Sequence, residues 1–190
     1  MGERTQMLVT VKIDGKEKVS RSLHYQWGYG RVMLLDALHL GWLMQLTSRY
    51  KIEPMSEREL SDFIVGKSTT AFANFPYEDE PYPVSWHIKP YHETLENMFL
   101  HSDQNDGYAH LIIEYPTDSF ETKVSLMLYD NQTRPVGLPR YVIRGNGDEF
   151  AGAPFQSRYR WLLEDCDIRL IEPERKKTND KEEASTKQSN

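Results

Sequence analysis

The sequence holds one cysteine, Cys166, in 190 residues. A single thiol closes no internal disulfide and builds no four-cysteine zinc site, so nothing ties the fold to an oxidising compartment. Cys166 follows Glu164-Asp165 and precedes Asp167. Three neighbouring carboxylates disfavour a thiolate, which argues against a cysteine nucleophile.

Long apolar runs are also missing. The longest, Val32 to Met44, is interrupted by Asp36 and His39 and is too short to span a bilayer. The opening Met-Gly-Glu-Arg-Thr-Gln-Met lacks the apolar core of a signal peptide and does not fit the myristoylation pattern. A cytoplasmic protein that does not engage membranes is the expectation.

Complete catalytic signatures are absent as well. There is no Gly-x-Ser-x-Gly elbow and no His-Glu-x-x-His pair. Gly66-Lys67-Ser68-Thr69 resembles the end of a phosphate-binding loop. However, Ser61 stands where the motif needs its first glycine, and a helix precedes where a strand is required. Termination of that helix at Gly66 explains the glycine better. No cofactor is expected, and the protein reads as a non-enzyme.

Positive charge is in short supply in the middle of the chain. The 23 Lys and Arg face 29 Asp and Glu, for a net charge of −6. Residues 1–50 carry seven basic and four acidic side chains, residues 51–150 eight and seventeen, and residues 151–190 eight of each. Neutralising phosphates needs Lys and Arg, so direct nucleic-acid binding is not expected. An acidic middle suits a basic partner, although acidic surfaces also serve solubility alone.

What the chain does have is a core. Hydrophobic residues make up 38% and aromatics 12%, more than disordered chains carry. Residues 1–173 read as one globular domain, and residues 174–190 as a polar, disordered tail. The fold class is α+β. An antiparallel sheet of β-hairpins packs against a long apolar helix and one or two shorter helices.

Residues 6–13 and 17–24 alternate as two strands around Asp14-Gly15, a tight-turn pair, and two polar positions on the return suggest an exposed edge. Arg31 to about Arg49 is helical and apolar on most sides, which places it centrally or at a dimer interface and leaves a homodimer open. Ser56 caps a second helix with Glu59 at the capping-box position. Pro90 opens a third helix from Tyr91 to about His101. Residues 108–115 and 122–130 form a second hairpin, and 140–145 a short strand. Arg158–Leu163 and Ile168–Ile171 form a third hairpin turning at Glu164-Asp165, with a helix from Phe155 as the rival reading.

Four groups of residues compete for a functional role. The long loop 68–90 contains Glu78, Asp79 and Glu80 between Tyr77 and Tyr82, and charges between aromatics suit a protein interface. The segment from His24 to Arg31 offers glycines for close backbone approach, flat faces on Trp27 and Tyr29, and a helix N-terminus for an anion. It lacks one glycine of a dinucleotide fingerprint. His87, His92 and His101, with Asp103, are near in sequence, but Pro90 keeps the first two off one regular helix face, and a metal site is not expected. Asp118, Glu121 and Lys123 distantly resemble a metal-dependent nuclease cluster.

The leading expectation is a non-enzymatic binding protein that engages a basic nucleic-acid-binding protein through its acidic surface, as an accessory or inhibitor of a mobile genetic element would. A nucleotide-like ligand held by His24, Trp27, Tyr29 and Arg31 is the alternative, and a small metal-dependent nuclease or hydrolase a further one.

Overall fold

The computed structural model describes residues 5–25, 31–67, 91–101, 107–137, 167–171 and 173, and of residues 31, 32, 35 and 101 the backbone alone. The first hairpin joins β1 (Thr5–Ile13) and β2 (Lys16–Tyr25). Ile13 pairs with Lys16 across the turn, and Asp14 and Gly15 take φ of 52° and 75°. Two successive left-handed residues match the right-handed twist of the flanking strands, which is why an Asp-Gly pair sits here. The second hairpin joins β3 (Gly107–Tyr115) and β4 (Lys123–Asp130).

The two hairpins meet through their first strands. β1 and β3 run parallel, in register from Thr5 opposite Gly107 to Ile13 opposite Tyr115. The short β5 (Pro135–Val136) and β6 (Ile168–Leu170) both pair with β4, the first antiparallel and the second parallel. The result is a mixed six-stranded sheet with β2 at one edge of the order β2-β1-β3-β4-β5. The expected all-antiparallel sheet is thus corrected: hairpin signals report only local pairs, and the β1–β3 contact is non-local. Of the expected third hairpin only the second strand is described: it is β6, which pairs with β4, while residues 158–163 fall outside the described residues, as do 140–145 and the tail 174–190.

Between the hairpins run α1 (Arg31–Leu46), the single turn α2 (Arg49–Ile52), α3 (Glu57–Lys67) and α4 (Leu95–His101). Alternation along the strands sorts the sheet into two faces. Met7, Val9 and Val11 of β1 share one core with Leu111 and Ile113 of β3 and with Met33, Leu34, Ala37 and Leu40 of α1. Leu8 points the other way, into a smaller cluster with Met98 of α4, Tyr108 and Tyr129. The Phe99 ring meets both tyrosines edge-on, at 5.0 and 5.2 Å. Both faces of β1 are therefore covered, as its nearly continuous burial requires.

α1 ends at Leu46 rather than Arg49. The Tyr115 hydroxyl donates to the Met44 carbonyl at 2.8 Å, and the Thr47 hydroxyl donates to Leu43 at 2.8 Å, so two of the orphan carbonyls are satisfied there. α3 begins with the expected capping box. The Ser56 amide and hydroxyl each donate to Glu59 at 2.7 Å, and the Glu59 amide donates back to the Ser56 hydroxyl at 3.2 Å. Gly66 does not end that helix, which continues through Lys67. α4 begins at Leu95 instead of Tyr91. Thr94 caps it, accepting the Asn97 amide at 3.1 Å, because the backbone at 91–93 is committed to β2.

α1 crosses the sheet closely at Gly41. A Cβ there would lie 2.7 Å from Ile168 Cδ1 and 3.0 Å from Val124 Cγ1. Gly41→Val therefore forces α1 away from β4 and β6 and lowers stability by about 1–3 kcal/mol in urea unfolding, the usual cost of overpacking. An unchanged midpoint would show that α1 is not seated there.

Candidate binding groove and polar sheet face

The turn of the first hairpin, the α2–α3 corner and Tyr91 enclose an open groove of about 840 Å³. Its floor is apolar. Ile13, Met55 and Tyr91 are half-buried and pack against the main core. Its rims are charged with both signs, through Lys16, Glu17 and Lys18 from β2 and through Glu53, Glu57 and Arg58 opposite.

Two cations organise these rims. Arg49 forks onto Asp14, with Nη1 and Nη2 at 2.7 and 2.8 Å from the two carboxylate oxygens, and also reaches Glu53 through Nε and Nη2 at 3.2 Å. The Thr117 hydroxyl donates to Asp14 from the β3–β4 connection. One guanidinium thus ties the first hairpin, α2 and the second hairpin together. Its bonds to Asp14 hold that carboxyl down at about 2.

The second, a cation only when protonated, is His92. Its Nδ1 lies 2.9 Å from Glu17 on β2, and its Nε2 lies 3.2 Å from Glu57 at the start of α3. The hydrogen bond to Glu17 raises its pKa above the ordinary 6.5, with Glu57 adding to the effect. These three side chains do not form a metal site, because the carboxylates sit at opposite ring nitrogens and do not converge on one point.

The opposite face of the sheet carries a polar row. The Thr10 hydroxyl lies 2.8 Å from Ser20 Oγ and 2.9 Å from His110 Nε2. Gln6 Nε2 lies 3.2 Å from His24 Nδ1. Burial holds His110 down at about 4, helped by the charge of Lys12, so its imidazole is neutral at pH 7. Ser20 and His24 of β2 are therefore partnered within the sheet, and β2 is an edge strand as expected.

Of the residues singled out from the sequence, His24 lies on this polar row. Trp27 and Tyr29 and the side chain of Arg31 lie outside the described residues, so no ligand site is assembled from them. Tyr77, Glu78, Asp79, Glu80 and Tyr82, together with His87, Asp103, Cys166 and the His101 side chain, lie outside them as well. Asp118 and Glu121 are exposed in the β3–β4 connection, and Lys123 is exposed at the start of β4. Among the described residues, no three His, Cys, Asp or Glu side chains gather closely enough to hold a metal ion, and no helix is long and apolar enough to cross a membrane. The groove itself was missed. Its floor residues Ile13, Met55 and Tyr91 come from three distant segments with no shared motif.

Two groups with a lowered pKa, His110 and Asp14, titrate in separate windows. Folding stability from His110 is present above its ordinary 6.5 and is lost as the pH falls toward about 4, because the buried ring must take up a proton. Stability from Asp14 is present above 3.8 and is lost toward about 2. His92, whose pKa is raised, is charged in both states below 6.5 and adds nothing to either window. Urea midpoints recorded from pH 8 to pH 2 should fall in both windows. His110→Gln should flatten the first, and Asp14→Asn should shrink the second, which it shares with Glu53, Glu59 and Asp130, whose pKa values are also lowered.

Compared with known protein families, curated proteins and solved structures, the chain matches none of them.

Proposed function

We propose that the protein is a non-enzymatic binding module that holds a segment of a partner protein in the groove between β2 and the α2–α3 corner. The supporting observation is the half-buried apolar floor of Ile13, Met55 and Tyr91 beneath charged rims. An apolar centre inside a polar margin is the anatomy of a protein-binding patch. The rims give register, and the floor gives the apolar contact that carries affinity.

The sign of the partner's charge rests on a different feature. Arg49 and His92 already match the groove's own carboxylates. A basic partner, such as a nucleic-acid-binding protein that this chain occludes, would respond to the wider acid surplus of residues 51–150. Nothing in the groove requires a cofactor.

Affinity capture from a lysate, with and without nuclease, compares the native chain with Met55→Glu/Tyr91→Ala and with Leu100→Ser. Leu100 is an exposed apolar residue of α4, which packs against β1 away from the groove. One partner should be retained by the native chain and by Leu100→Ser. The groove variant should bind it at least about tenfold more weakly. Equal retention by the groove variant would overturn the reading. For a basic partner, affinity should also fall with added salt.

A further inference from the structure

The outer edge of β2 is partly covered. The Ser20 amide donates to the Tyr91 carbonyl at 2.7 Å, and the Glu93 amide donates to the Ser20 carbonyl at 3.0 Å. Ser20 and His92 form an isolated parallel bridge. Residues 91–93 thus lie along an edge strand that would otherwise present its Ser20 amide and carbonyl outward. Two backbone hydrogen bonds join residues 91–93 to this edge, and the His92 ring adds contacts to Glu17 and Glu57.

We infer that His92 is a proton-operated latch that fastens residues 91–93 to the β2 edge and to the start of α3. The geometry carries the argument. Both ring nitrogens face carboxylate oxygens, at 2.9 and 3.2 Å. A neutral imidazole has one N–H and one lone pair, so it can donate to one carboxylate while its lone pair opposes the other. Only the imidazolium donates to both. Loss of the proton therefore breaks one of the two ties and leaves a carboxylate against a ring lone pair.

The latch is set to respond rather than to lock. His92 is 29% exposed, Glu17 40% and Glu57 52%, so protons exchange freely and neither pair is strong. The other charges nearby are Lys16 and Lys18 on β2 and Arg58 on α3, with Glu53 across the groove. Against the cost of burying the ring, the groups that set its pKa are Glu17 and Glu57. The raised pKa shows that the contacting carboxylates prevail. With a folded pKa above the unfolded one, the latch is fully closed below 6.5 and loosens as the pH rises through the raised value. Opening uncovers the Ser20 edge and shifts Tyr91, which lines the groove. The inference concerns the latch itself and holds whatever occupies the groove.

NMR on the full chain from pH 5.5 to 9 reads both parts. It follows the His92 ring titration and the hydrogen-exchange protection factors of the Ser20 and Glu93 amides. The ring should titrate above 6.5, and both protection factors should fall about fivefold through the same midpoint. Glu57→Gln and Glu17→Gln, both changes at half-exposed positions, should move the ring titration and the protection midpoint down together. His92→Gln should remove the pH dependence. A ring that titrates at or below 6.5, protection that does not change across the titration, or variants that leave the midpoint in place would each overturn the latch.

Discussion

The parallel ladder between β1 and β3 is the contact on which the rest of the molecule depends. Each hairpin alone would be a two-stranded ribbon of marginal stability. Joined through their first strands, they form a sheet with β1 and β3 at its centre. A parallel pair cannot be closed by a tight turn, so the chain must leave the sheet and return. The helices occur in that excursion. α1 takes the face of Met7, Val9 and Val11, and α4 takes the face of Leu8. The order hairpin, helices, hairpin thus follows from one non-local pairing.

Such an excursion must be fastened where it begins and where it returns, and two cations do this. Arg49 binds α2 to the turns of both hairpins through Asp14, Glu53 and Thr117. His92 binds the returning segment to β2 and α3. They differ in what a proton does to them. A guanidinium keeps its charge throughout the accessible range, so the Arg49 contact fails only when Asp14 is protonated. An imidazole loses its charge as the pH rises, so one of the two His92 contacts fails at the other end. The first fastening is permanent under ordinary conditions, and the second is conditional. The groove lies between them, with one fixed wall and one wall whose attachment depends on pH.

The local part of this fold was legible in the residues. Asp14-Gly15 marked its turn because both positions need positive φ, and Ser56 with Glu59 marked the start of α3 because the two bond reciprocally. The strands from 107 to 130 alternated clearly enough to give their hairpin. That β1 lies beside β3 and β6 beside β4 was not legible, because apolar alternation says which face is buried but not which strand lies alongside. Residues 91–93 defeated a helix expectation for the same reason, since their backbone is held by β2. α1 was ambiguous because its pattern is nearly apolar all round. Met33, Leu34, Ala37 and Leu40 face the sheet, while Trp42 at 46% and Leu46 at 65% exposure turn outward. The groove and the His92 contacts were illegible, since each joins segments far apart in the chain.

The polar row on the second face bears on the choice between catalysis and binding. A hydroxyl beside a histidine is the arrangement of a nucleophile and its base. Thr10 Oγ1 and His110 Nε2 stand at such a distance, and a neutral His110 has the right protonation state. A nucleophile must also reach its substrate. Thr10 is 3% exposed and Ser20 is fully buried, and the two hydroxyls are bonded to each other at 2.8 Å. In either proton direction along Ser20, Thr10 and His110, the Thr10 hydroxyl donates once and accepts once, so the row is satisfied as a structural network. Burial that keeps the imidazole neutral also keeps substrate away. The chemistry available on this face is therefore spent on pinning β2, β1 and β3 in register, while the groove on the other side of the hairpin stands open to solvent.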